Sequence, residues 1–140
     1  MIEENTRFTF SKSERITSKK DIDALFESMS FFIYPFKVFY LENENPTIKE
    51  HKTLISVSKR RFKKAVTRNL FKRRIREAYR LNKHSLQPID GERYLLIGFL
   101  YVGKQTENFQ FIEKKLNLII NRLNTSPESE ETHKAIIKKS

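Results

Sequence analysis

Four residues, Phe71, Ile75, Ala78 and Tyr79, sit inside the most highly charged stretch of the chain, "KRRFKKAVTRNLFKRRIREAYR" (Lys59 to Arg80). Successive helical residues turn by about 100°, which gathers these four on one side with Asn82 beside them. Asn69, Lys72, Arg73, Arg76, Arg80 and Lys83 then occupy roughly the opposite arc. The pattern predicts a helix over about residues 64–82, with one face committed to a core and the other left to meet something else.

The charge says what that something is. Between Lys59 and Lys83 twelve Lys and Arg accompany one acid, Glu77, while the rest of the chain has sixteen of each sign. The whole net charge of +11 therefore lies in this stretch. Basicity for solubility alone would be spread out, whereas a concentrated patch is the footprint of a polyanion partner. Arg68, Lys72, Arg76 and Arg80 follow one another at spacings of four, and such like-charge pairs cost about 0.2–0.5 kcal/mol each in an isolated helix. A phosphate backbone would remove that repulsion. A merely solvated face would mix Glu with Lys, and here only Glu77 is available. Arg outnumbers Lys on the stripe, which favours a bidentate grip on phosphate. Asn69 fits a ribose hydroxyl or a base edge, and equally an ordinary exposed helical Asn. Binding to anionic lipid would need the apolar side, which the core takes. RNA or DNA is the expected partner.

Around this helix the other elements follow from pattern. "TSKKDIDALFES" reads as a short helix capped by Thr17 or Ser18, with Ile22, Leu25 and Phe26 on one face. "SFFIYPFKVFYLEN" reads as two strands divided by Pro35, and "KTLISVSK" as a third, with Leu54, Ser56 and Ser58 on one side and Ile55 and Val57 on the other. "HSLQPIDGE" is a loop, and "RYLLIGFLYV" a central buried strand. "TENFQFIEKKLNLIINRLN" is an amphipathic helix capped by Thr106, with Phe109, Ile112, Leu116, Ile119, Ile120 and Leu123 on its apolar side. The order α-β-β-β-α-β-α predicts a single-domain, two-layer α+β sandwich. Residues 1–16 form a loosely held lead-in, 17–125 the domain, and 126–140 a polar, mobile tail.

Other function classes are poorly supported. With no cysteine there is no disulfide, thiolate site or Cys nucleophile, which suits a reducing cytosol. The three histidines, His51, His84 and His133, are far apart, and no metal-protease, phosphate-loop or nucleophile-elbow motif is present. The acids form no obvious metal-binding run, so neither catalytic nor metal-binding protein residues are expected. No signal peptide or bilayer-spanning apolar run is visible, and the chain reads as soluble and cytoplasmic.

"SVSKRRFKKAVTRNLFKRRIREAYR" resembles the signature of the bacterial ribonuclease P protein subunit. In that family a strand ending in a Ser/Lys segment leads to a helix carrying Arg-Asn-Arg-x-Lys-Arg, then Arg-Glu and an aromatic. Arg68, Asn69, Lys72, Arg73, Arg76, Glu77 and Tyr79 match in register, and the likeness covers about residues 10–123, including "SERITSKKDIDALF" upstream. The family's second Arg is replaced by Leu70, so that role is not carried over. Arg74 projects elsewhere on the helix.

The resemblance implies a left-handed βαβ crossover, against the usual hand. It implies a subunit of an endoribonuclease whose catalyst is RNA with bound Mg²⁺, removing the 5′ leader of precursor tRNA. Arg68, Asn69, Lys72, Arg73, Arg76 and Arg80 would bind the catalytic RNA. Ile22, Phe26, Phe39, Ser56, Ser58 and Lys59 would line a cleft for the single-stranded leader, where aromatics stack and hydroxyls and Lys hold the backbone. Without the resemblance Ile22, Phe26 and Phe39 read as core. Ile22 replaces an aromatic of some relatives and would make a weaker platform. The implied partners are ribonuclease P RNA and precursor tRNA, with no membrane and no required protein partner. The rival readings are a structural or ribosomal RNA-binding protein without a processing role, a DNA-binding regulator using the basic helix in a major groove, and, ranked lower, a free-standing nuclease.

Overall fold

The computed structural model describes residues 10–88 and 93–125. The expected tail at 126–140, the Asp-Gly signal of the 84–92 loop and residues 1–9 of the lead-in lie outside the described residues. Helix α1 spans Lys19–Phe26, and Ser18 caps it by accepting the Asp21 N–H on its hydroxyl. Strands β1 (Met29–Ile33) and β2 (Phe36–Glu42) are joined by a cis Tyr34–Pro35 bond. Strand β3 (Lys52–Val57) leads to the basic helix α2 (Ala65–Asn82), and a short 3₁₀ turn (Lys83–Ser85) follows within the expected loop. Strand β4 (Leu95–Tyr101) and helix α3 (Phe109–Thr125) complete the domain. The cap of α3 is Asn108 rather than the expected Thr106. The Asn108 carboxamide oxygen accepts the Phe111 N–H at 2.8 Å, three residues on, a spacing Thr106 cannot reach with the helix starting at Phe109.

The sheet order is β1-β2-β4-β3. β1, β2 and β4 pair antiparallel, while β3 and β4 run parallel and are joined through α2. β4 is therefore interior and flanked on both edges, which is why its sequence is almost uninterruptedly apolar. Register sorts the two faces. Phe36, Val38, Tyr40, Val57, Leu95, Ile97, Phe99 and Tyr101 point to the side covered by α2 and α3, where Phe71, Ile75, Ala78, Tyr79, Ile112, Leu116 and Ile119 meet them. This is the main core, and sheet plus helix pair make the two layers.

The opposite face is only partly covered. There α1 lays Leu25 on Phe39 and Leu96, with Ile22, Leu41, Leu54 and Leu100 half-buried around them. Within residues 10–16, part of the expected loosely held lead-in, Glu14 and Ile16 are anchored to the domain. Ile16 is buried and donates its N–H to the Thr53 carbonyl at 2.9 Å, and the Glu14 carboxylate pairs with Lys83 in a setting where both side chains are largely withdrawn from water. No periodicity marks this segment, because it is held by single contacts rather than by a face.

Candidate RNA-binding surfaces

The outer side of α2 is built by subtraction: four residues enter the core, and the cations between them are left outside. Asn69 and Arg73 are exposed, and Lys72 and Arg76 are half-buried. The helix starts after Lys64 without a side-chain cap and with no acid in its first turn. The positive end of its dipole thus adds to the surrounding Lys and Arg instead of being offset. Burial, then the charges of Arg15 and Arg73, push the Arg76 guanidinium below its ordinary value, as expected where cations crowd.

The cations are not equivalent. Arg68 donates to the carbonyls of Phe62 (2.8 Å) and Lys63 (2.9 Å), pinning the segment that leads from β3 into α2. Arg80 pairs with Glu77, and its hydrogen bonds hold the Glu77 carboxyl below the usual range. Arg74 donates to the Glu107 carbonyl at 2.8 Å and so ties α2 to the loop before α3. Leu70 stands one turn earlier on the same side of the helix, and this contact engages the Arg74 guanidinium within the protein. Lys72, Arg73 and Arg76 remain as cations of this face with no ion pair or hydrogen bond among the described residues.

The second surface lies on the far side of the sheet, beside α1. Strand alternation puts Ser30, Lys37, Phe39, Ser56, Gly98 and Leu100 on this face. Phe26, 41% exposed, stands edge-on to Phe39 with ring centroids 4.8 Å apart. Phe39 itself is 8% exposed and has the Lys37 ammonium 5.3 Å from its ring centre. Of this ring pair the open surface is that of Phe26, with Phe39 as its backing; Phe32, 55% exposed, lies opposite Lys37 on the same face, and Ile22 is half-buried beneath the helix. Ser56 is half-buried opposite Leu100. The Ser58 hydroxyl accepts the Arg61 N–H at 3.3 Å and shapes the turn after β3, and Lys59 is exposed on that turn. Lys37 was not expected here, although the alternation of β2 carries the signal. At the other end of α1 a groove of about 470 Å³ mixes Lys20 and Lys52 with Asp21, Glu42 and Glu44.

Among the described residues no three His, Asp or Glu side chains are grouped to hold a metal ion, and no helix is long and apolar enough to cross a membrane. A basic helical face and a surface with an exposed aromatic and nearby lysines thus lie on opposite sides of one sheet. The model of the ribonuclease P family matches residues 10–124. The chain belongs to that family. It is 38% identical over 119 residues to the ribonuclease P protein component of Porphyromonas gingivalis strain W83, covering 83% of this chain and 87% of that one. A shorter match, 37% over 76 residues, links it to the ribonuclease P protein component of Petrotoga mobilis, covering 54% of this chain and 61% of that one. The fold is similar to the RNase P protein of Staphylococcus aureus (TM-score 0.63, 24% identity, 81% of this chain and 100% of that one). It is also similar to that of Thermotoga maritima (TM-score 0.64, 23% identity, 78% and 96%). Family membership makes this chain the protein part of an endoribonuclease holoenzyme that works with an RNA subunit in tRNA 5′ processing. The rival readings find no support in these comparisons.

Proposed function

We propose that the two surfaces divide the labour of the holoenzyme. The outer face of α2, through Arg68, Asn69, Lys72, Arg73, Arg76 and Arg80, binds the RNA subunit. The cleft beside α1, through Ile22, Phe26, Phe39, Ser56, Ser58 and Lys59, holds the single-stranded leader of precursor tRNA. The observation that carries this reading is the segregation of the two surfaces, since a protein binding only one RNA has no need of an exposed aromatic on the face away from its basic helix. Arg68 and Arg80, each already tied within the protein, would offer their remaining N–H groups.

Mg²⁺, held mainly by the RNA, supplies the hydrolytic chemistry. The protein's side chains bind and orient. Their cations offset phosphate repulsion between enzyme RNA and substrate, so cleavage needs less Mg²⁺ when the protein is present. The site of action is the cytoplasm, with neither membrane nor protein partner required.

The test is cleavage of a leader-bearing precursor tRNA by a cognate ribonuclease P RNA at low Mg²⁺, with and without the protein and its Lys72→Ala/Arg73→Ala variant. Strong stimulation that the variant loses supports the reading. Tight RNA binding without stimulation would move the protein to a structural role.

A further inference from the structure

The edge of β3 carries a cationic recess that the sequence pattern did not reveal. Arg15 forms an isolated parallel bridge with Thr53, which brings it beside α2. Arg15 and Arg76 line a cavity of about 160 Å³, together with Phe10, Thr17, Thr53 and Leu54. The Arg15 guanidinium is held 5.1 Å over the centre of the Phe10 ring. Among the described residues neither arginine has a carboxylate or carbonyl partner, in contrast to Arg68, Arg74, Arg80 and Arg93. The adjacent acid, Glu14, is turned instead to Ser11 and Lys83. Two guanidinium groups sharing a recess with no counter-charge repel one another in the free protein, and an oxyanion between them reverses the sign of that interaction.

We propose that Arg15 and Arg76 together grip one RNA phosphodiester at the β3 edge. At about 160 Å³ the recess has room for a phosphate group. Its rim hydroxyl, Thr17, is exposed and free to donate to a phosphate oxygen. The position is informative: Arg76 belongs to the basic helix, and Leu54 to the face that carries α1. A phosphate held here lies on the boundary between the two proposed surfaces, and the proposal rests on that ribonuclease P reading.

The holoenzyme test uses Arg15→Ala, Arg76→Ala and the double variant, with Arg15→Gln to keep packing over Phe10 should Arg15→Ala fail to fold. Each single change is expected to weaken RNA affinity by about tenfold. The double change should be little worse than either single one, because both arginines serve one phosphate. The slope of log affinity against log salt should fall by about one. Weaker binding to the RNA subunit alone would identify it as the source of the phosphate. Weaker binding only of precursor tRNA, growing with leader length, would identify the leader. Unchanged affinity in a folded Arg15 variant, or fully additive losses, would overturn the shared site while leaving the ribonuclease P reading intact. Failure of the wild-type protein to bind or stimulate the RNA would remove both.

Discussion

Leu25 of α1 sits directly on Gly98 of β4: a Cβ at position 98 would lie 3.0 Å from the Leu25 Cδ2 and 3.6 Å from the Phe39 Cβ. The glycine lets the helix approach the sheet beside the cleft. Gly98→Ala forces Leu25 to give by a few tenths of an ångström, with a cost of about 1 kcal/mol by overpacking. Denaturant unfolding should show that loss. Leader-dependent binding of precursor tRNA should fall more than affinity for the RNA subunit, because the displaced helix carries Phe26.

Arg68 and Arg73 should separate structure from binding. Arg68→Ala removes two carbonyl hydrogen bonds from a charged donor and should destabilise by about 1.5–3 kcal/mol, with lower RNA affinity as a companion effect. Arg73→Ala touches an exposed side chain, so its Tm should stay within a degree or two, about the ±0.5 kcal/mol of a neutral surface change, while RNA affinity falls. Thermal melts beside RNA titrations check both. A Tm loss in Arg73→Ala would mean the helix relies on it internally.

The Glu14–Lys83 pair joins the segment before α1 to the end of the basic helix, with side chains only 12% and 14% exposed. Either Glu14→Gln or Lys83→Met alone leaves a poorly solvated partner and should cost about 2–4 kcal/mol. The double variant should recover part of that loss, because no charge is then stranded. A double-mutant cycle by urea unfolding measures the coupling, and additive losses would contradict it.

His51 should make stability fall with acidity well above the carboxylate range. Burial pushes its imidazole from 6.5 down to about 4, the Gln87 and Leu86 backbone only partly offsetting the lost hydration. Nδ1 accepts the Leu95 N–H at 3.0 Å and Nε2 is buried without a hydrogen bond, so the folded protein keeps the ring neutral. The unfolded chain takes up the proton first, near pH 6.5, so this contribution is complete above that pH and drains away down to about 4. Between pH 7 and 5 the loss should be roughly 2 kcal/mol. His51→Asn, which keeps an acceptor for Leu95 but does not titrate, should flatten that slope in urea unfolding.

A physical asymmetry separates what the chain's order of residues determined from what only folding decided. Periodicity is local, so Phe71, Ile75, Ala78 and Tyr79 declared the basic helix, and the apolar run Leu95–Tyr101 its central strand, without any knowledge of neighbours. The concentration of cations was equally plain, and with the matching register it pointed to RNA. Hydrogen-bond partners and cross-chain proximity are not local. Nothing in the spacing says that Arg68 holds Phe62 and Lys63, that Arg74 faces Glu107, or that Phe39 lies beneath Phe26. Arg15 and Arg76 are far apart along the chain and share a recess only because residues 14–16 pair with the edge of β3. Sequence order fixed which faces exist and what charge they carry, because those depend on the repeat of one element. Tertiary packing chose which of those charges are left for RNA, because that depends on which carbonyls and carboxylates the fold brings within reach.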